Sequence, residues 1–327
     1  MRFFIVVVCM AVLGLLGAGY AWVQSPLDIP VASVDLSIEP GSSARQVAVD
    51  VAQAGVRVQP VLLYWWFRLS GKARSIKAGS YELPAGTTPR SLLQKLVQGD
   101  EALRSVTLVE GWTFKQVRDA LRKADQLKPT SQTLSPAEIM EQLGRPGNHP
   151  EGRFFPDTYT YSKGSSDLAV LLRALHAMDK KLDAAWSQRN RTSALQTPDQ
   201  ALVLASIVEK ETGKASDQAL ISAVFNNRLV IGMRLQTDPT VIYGLGETFD
   251  GNLRRIDLQT DTPYNTYTRT GLPPTPISMP GKAALLAAVQ PAPSKALYFV
   301  ARGDGTSQFS NSLDEHNRAV DKYQRGQ

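Results

Sequence analysis

Cysteine is nearly absent from this 327-residue chain. The single one, Cys9, lies in an apolar run, so neither a disulfide nor thiol chemistry is available to the remainder. Val8 and Met10 flank it where a lipidated cysteine would want small residues. Histidine is scarce too. His149, His176 and His316 stand far apart without ligand spacing, which argues against a zinc site, and no metal is expected. No G-x-x-x-x-G-K-[ST] motif is present, which disfavours nucleotide-driven chemistry. The net charge of +6 is spread through mixed-sign stretches without a basic cluster. That suits an anionic surface or polymer and speaks against nucleic acid as a partner. At 43% hydrophobic and 20% charged residues, the composition excludes disorder.

Long apolar runs are also missing, with one exception at the start. Met1-Arg2 leads into residues 3–23, which carry no charge. As a helix, such a run just crosses the roughly 30 Å hydrocarbon layer of a bilayer. A cleaved signal peptide begins the same way, but no A-x-A site follows. The exit reads Ala21-Trp22-Val23-Gln24-Ser25-Pro26, with Tyr20 and Trp22 placed as interfacial anchors. Arg2 keeps the N-terminus in the cytoplasm and sends the bulk of the chain across. Residues 1–24 are therefore expected to be a retained, single-pass transmembrane helix.

Roughly 300 residues follow, enough for two domains. The expected class is α+β. Three related units come first: Leu36-Ser37-Ile38-Glu39-Pro40-Gly41-Ser42-Ser43, Tyr81-Glu82-Leu83-Pro84-Ala85-Gly86-Thr87-Thr88 and Val106-Thr107-Leu108-Val109-Glu110-Gly111-Trp112-Thr113. Each is an alternating run, a glycine turn and a Ser or Thr suited to N-capping, and each leads into an amphipathic helix. Repetition of this kind is an ordinary way to build a small core. Its layout also resembles LysM modules, which hold chains containing N-acetylglucosamine. Residues 25–126 are read as a small LysM-like α+β subdomain that binds glycan, and residues 127–327 as a larger mixed α/β catalytic domain. Between the first two units, residues 60–69 are predicted to be a helix with its aromatics buried.

In the second region Ser135-Pro136-Ala137-Glu138 opens a helix, residues 144–150 form a loop, and residues 151–159 are aromatic and turn-rich. A helix over residues 166–190 and a polar connector over residues 189–196 follow. Thr197-Pro198-Asp199-Gln200 then combines a Thr cap, Pro at the first helical position and a capping-box Gln. The helix it starts runs through Thr212, stops at Gly213, and is apolar nearly all round, which makes it central and buried. Glu211 continues the stripe of Leu204, Ile207 and Val208, where desolvation would raise its pKa toward that of a neutral-pH acid. Glu209 lies over Ala205 and Ser206. The alternative is an exposed last turn in which Glu211 pairs with Lys214. Beyond a helix over residues 218–230, residues 233–243 are read as a turn presenting Gln236, Asp238 and Tyr243. Tyr264, Asn265 and Tyr267 follow on a long loop. Aromatic faces beside amides suit sugar rings, and an ordered surface loop has the same composition.

Taken together, these residues resemble the YceG-like family of endolytic murein (peptidoglycan) transglycosylases, over nearly the whole chain. The resemblance rests on Glu151-Gly152 with Phe155-Pro156-Asp157-Thr158, on Ala205-Ser206-Ile207-Val208-Glu209-Lys210-Glu211-Thr212, on residues 234–243 (RLQTDPTVIY), on Tyr264-Asn265-Thr266-Tyr267 and on Gly271-Leu272-Pro273-Pro274. It implies a single-pass protein of the inner membrane that cuts nascent glycan strands in the periplasm beside the peptidoglycan synthases. The helix over residues 201–212 is then similar to the active-site helix of lytic transglycosylases, with Glu211 as catalytic acid and base. Glu209, Gln236, Asp238, Tyr243, Tyr264, Asn265 and Tyr267 are the implied substrate-binding residues. Arg234 departs from the Gly-Leu-Met-Gln pattern of the soluble enzymes.

Glycoside hydrolysis normally takes two carboxylates. A lytic transglycosylase manages with one, because the C6 hydroxyl of muramic acid attacks its own C1 to leave a 1,6-anhydro end. No cofactor is implied. A non-catalytic glycan-binding scaffold and a hydrolase using Asp238 or Glu209 to activate water are the competing readings.

Overall fold

Helix α1 (Arg2–Gln24) opens the computed structural model, which describes residues 2–190 and 193–325. Met1 and the side chains of Arg2, Phe3, Ile5, Val8, Cys9 and Val12 lie outside the described residues, as do Arg191 and Thr192 of the connector. Among the described residues no helix is long and apolar enough to cross a membrane. The chain divides into two compact units, residues 1–104 with 160–165, and residues 105–159 with 166–327.

In the first unit the strand–turn–helix pattern forms as its capping signals dictate. Strand β1 (Ser33–Ile38) leads to α2 (Ala44–Gln53), where Ser43 accepts the Gln46 amide. Helix α3 (Pro60–Leu69) follows. Strand β2 (Gly79–Pro84) then leads to α4 (Pro89–Gln98), with a Thr88–Ser91 capping box and Gly99 left-handed at its end. β1 and β2 pair antiparallel, with Leu36 opposite Tyr81. Alternation turns Leu36, Ile38, Tyr81 and Leu83 inward onto Val47 and Val51 of α2, Leu63 and Phe67 of α3, and Leu92 and Leu96 of α4. The predicted helix at residues 60–69 is present, but its aromatics are not all buried. Phe67 is enclosed, Tyr64 and Trp66 are half-buried, and Trp65 is 51% exposed. Enclosing a Leu or Phe stabilises by on the order of 1.5–3 kcal/mol. Leu63 and Phe67 therefore fasten α3, and Trp65 does not.

The third strand–turn–helix unit consists of β3 (Leu103–Thr107) and α5 (Phe114–Lys123), with Thr113 and Gln116 forming its capping box. Its strand pairs with β4 (Thr158–Ser162), beyond α6 (Pro136–Gln142). Helix α7 (Asp167–Ser187) precedes α8 (Pro198–Glu211), which Thr197 caps by accepting the Gln200 amide. Ala201 through Val208 are all buried, so the reading of α8 as a central helix holds. Leu182 of α7, Phe225 of α9 (Ala215–Val230), and Leu285 and Ala288 of α12 (Lys282–Val289) share its cluster.

Residues 238–243, the latter part of the segment 233–243 that reads as a turn in sequence, belong to a helix, α10 (Asp238–Leu245), with Pro239 in its first turn. Proline there needs no N–H partner, so a residue that reads as a breaker starts a helix instead. Helix α11 (Arg255–Gln259), the antiparallel hairpin of β5 (Tyr298–Ala301) and β6 (Ser307–Ser310), and α13 (Leu313–Val320) complete the second unit.

Candidate active site

Residues 201–208 of α8 are enclosed, and the final turn that follows them ends at the wall of a cavity of about 590 Å³. The volume falls within the range of small-molecule sites. Glu211, Gln236, Asp238 and Tyr267 all line it. Four of the eight residues singled out from sequence thus meet in one place. No ion pair joins Glu211 to Lys214 among the described residues, and Lys214 is exposed.

Several neighbours set the state of Glu211. Burial pushes its carboxyl up to about 7, and the Asp238 carboxylate pushes the same way. The Thr237 hydroxyl, which donates to Glu211 Oε1, and the Arg228 guanidinium pull it down. Burial prevails. Arg228 is itself buried, and its charge is held by the chain: Nε donates to the Leu297 carbonyl at 2.7 Å and Nη1 to the Leu235 carbonyl at 2.6 Å. Tyr298 covers its guanidinium at 5.3 Å.

Residues 234–238 reach the cavity through strained backbone. Gln236 has φ +50°, a left-handed conformation that costs a non-glycine residue about 1–2 kcal/mol. Its amide N–H bonds the Thr266 carbonyl at 3.1 Å, and the Thr237 N–H bonds Thr266 Oγ1 at 3.1 Å. The exposed Gln236 side chain makes no hydrogen bond among the described residues, so its amide is free for a ligand. Asp238 accepts the Tyr267 hydroxyl at 2.6 Å.

Asn265, Tyr243 and Tyr264 are not on this wall. Asn265 is 1% exposed. Its Nδ2 donates to the carbonyls of Asp257, Leu258 and Thr260, and its Oδ1 accepts the Tyr267 N–H at 2.9 Å. It closes α11 and fixes the backbone that carries Tyr267. Tyr243 packs edge-on against Tyr264 at 4.9 Å and donates at 3.2 Å to Glu151. Glu151 is buried, accepts the Phe114 N–H at the start of α5, and is pushed up by burial to about 7.

Glu209 faces elsewhere, as its helical offset from Glu211 requires. Its Oε2 accepts the Gly281 N–H at 2.9 Å. Burial raises its pKa, and the nearby Glu110 carboxylate adds to the rise. A Cβ on Gly281 would come 1.9 Å from Glu110 Oε1, the end of an exposed side chain that would have to swing aside.

The far wall of the cavity went unforeseen. It comes from β5 and α13, where the His316 ring stacks on Tyr298 at 5.2 Å and its buried Nδ1 has no hydrogen-bond partner among the described residues. Arg228 and Thr237 were likewise missed. Thr237 was discoverable from its place between Gln236 and Asp238.

Residues 36–322 match the YceG-like family. The protein named endolytic murein transglycosylase in Bacillus subtilis strain 168 is 30% identical, over 89% of this chain and 85% of that protein. The protein of the same name in Streptococcus pneumoniae strain D39 is 28% identical, over 92% of this chain and 61% of that longer protein. A crystal structure of a putative yceG-like protein from Listeria monocytogenes is similar at a TM-score of 0.55. It is 29% identical, and the match covers 88% of this chain and 98% of that one.

Proposed function

The chain belongs to the YceG-like family, and from that premise we propose that it is a lytic transglycosylase acting on peptidoglycan, with Glu211 as its acid and base. One observation carries the assignment to Glu211. A carboxyl held at about 7 opens on a cavity where the Gln236 amide is unengaged and Tyr267 and Asp238 are joined. At neutral pH a large share of Glu211 is protonated and can give its proton to the leaving oxygen of the MurNAc–GlcNAc bond. The carboxylate then takes the proton of the muramic C6 hydroxyl as that oxygen closes on C1. Arg228, fixed beneath the site, stabilises Glu211 while it is charged. Gln236 and Tyr267 orient the sugar.

Hydrolysis would need a second carboxylate free to activate water. Glu209 is committed to the Gly281 N–H, and the Tyr267 hydroxyl occupies one Asp238 oxygen. Both engagements favour the single-carboxylate route. Residues 2–24 serve as the inner-membrane anchor, which holds the enzyme in the periplasm beside the synthases that extrude nascent strands. The first unit steadies the glycan as LysM-like modules do, along the groove of about 660 Å³ beside Trp66, Arg90 and Gln94.

Mass spectrometry of products from purified glycan strands tests the reaction. Fragments ending in 1,6-anhydro sugars, lighter by one water than reducing ends, are expected. Reducing ends alone would make the enzyme a hydrolase, and no fragments would make it a scaffold.

A further inference from the structure

Outside α1, the exposed large hydrophobic residues gather most densely on α3, where Val61, Leu62, Trp65 and Leu69 are 62%, 46%, 51% and 79% exposed. Their spacing puts them within one face of the helix, opposite Leu63 and Phe67, which are enclosed. A helix apolar on two opposite faces uses one for the core and leaves the other for a partner.

We propose that this outer face of α3 rests in the headgroup layer of the bilayer at the point where the chain leaves α1. Two further observations name lipid as the occupant. The first is position within the unit. Leu27, just past α1, donates its N–H to the Thr87 carbonyl at 2.8 Å, and Trp66 of α3 donates its indole N–H to the Pro89 carbonyl at 2.9 Å. The exit of α1 and the aromatic section of α3 thus meet the same cap of α4, two residues apart. Trp22 of α1 also packs on the cluster that holds Leu63 and Phe67. The second observation is charge. From Arg57 to Lys77 the chain has five cations and no acid. Of these, Arg68, Lys72 and Arg74 are exposed and form no ion pair among the described residues.

Tryptophan between apolar and aqueous phases, beside lysines and arginines over anionic phosphates, is the composition of an interfacial helix. The contact would give the unit a fixed attitude to the membrane, which a tether at one point cannot.

The inference rests on the reading of α1 as an anchor, and the test separates the two. With Cys9→Ser in the full-length chain, a nitroxide is placed at Leu69→Cys, at Leu13→Cys in α1, or at the exposed Ile256→Cys of α11. The protein is reconstituted in phosphatidylethanolamine–phosphatidylglycerol vesicles, and collisions with oxygen are compared with those with a water-soluble nickel chelate. The oxygen-to-nickel ratio at Leu69 should exceed that at Ile256 several-fold and fall below that at Leu13. A lipid reading at Leu13 with a water reading at Leu69, or shielding of Leu69 from both reagents by a protein partner, overturns the α3 contact alone. Water readings at both overturn anchor and contact together. Water at Leu13 with lipid at Leu69 removes the anchor and, with it, the placement of α3 at the point where the chain leaves the bilayer.

Discussion

Thr237, 26 residues along the chain, donates a hydrogen bond from its hydroxyl to Glu211 Oε1. The bond favours the charged carboxylate and so opposes burial, which favours the acid. Thr237→Val keeps the shape and removes the donor. The Glu211 pKa should then rise from about 7, moving the alkaline limb of kcat/KM upward. A limb that stays in place would mean that another group sets it.

Glu211→Gln keeps the shape and lacks the acid proton, so turnover should fall by on the order of 10²–10⁴. Glu209→Gln, on the Gly281 side of the helix, should retain measurable turnover. Stability separates the roles further. A carboxyl whose folded pKa is raised binds its proton more tightly in the folded state. It therefore weakens folding as pH climbs from the ordinary value of about 4.3 toward about 7. Thermal melts of Glu211→Gln at neutral pH should match or exceed the parent, with a shallower decline across that window. A clear loss would show that the charged carboxylate holds the fold together.

How much of this site was legible in sequence depended on distance along the chain. Helix α8 announced itself through Thr197, Pro198 and eight consecutive residues fit for a core, and the stripe under Glu211 followed from periodicity alone. Gln236, Asp238 and Tyr267 came from a family pattern and do meet in the cavity. Asn265 came from the same pattern, yet its amide serves three backbone carbonyls, because a loop without ladder bonds must satisfy its own polar groups. Arg228 lies within α9 and Tyr298 on a four-residue strand, so no local spacing ties either to Glu211. Trp65 illustrates the opposite failure. An apolar helix was read as a buried helix, although only one of its faces meets a core.

Gln236 offers a clean separation of side chain from backbone. Its φ of +50° suits glycine, so Gln236→Gly should preserve stability and remove only the amide that faces the cavity. KM should rise by about tenfold, the loss of roughly one hydrogen bond to substrate. Gln236→Val, whose branched side chain resists this conformation, should destabilise by about 1–2 kcal/mol. Equal melting temperatures for the two variants would show that the turn is not held in the left-handed region.

Glu151 is the test of whether Glu211 alone sets the pH profile. Both carboxyls are pushed up by burial to about 7, so an alkaline limb near that pH is consistent with either. Their surroundings differ. Glu151 accepts the Phe114 N–H with both oxygens and the Tyr243 hydroxyl with one, and it is 3% exposed. Glu211 opens on the cavity. Glu151→Ala would leave the Phe114 N–H without a partner and should cost about 1–3 kcal/mol. Glu151→Gln still offers an acceptor there, so it should fold. Having lost a carboxyl with raised pKa, it should also flatten the stability decline between about pH 4.3 and about 7. Its kcat/KM should nonetheless keep the alkaline limb, because the acid proposed to limit the reaction, Glu211, is still present. A limb abolished by Glu151→Gln and kept by Thr237→Val would transfer the acid role from Glu211 to Glu151.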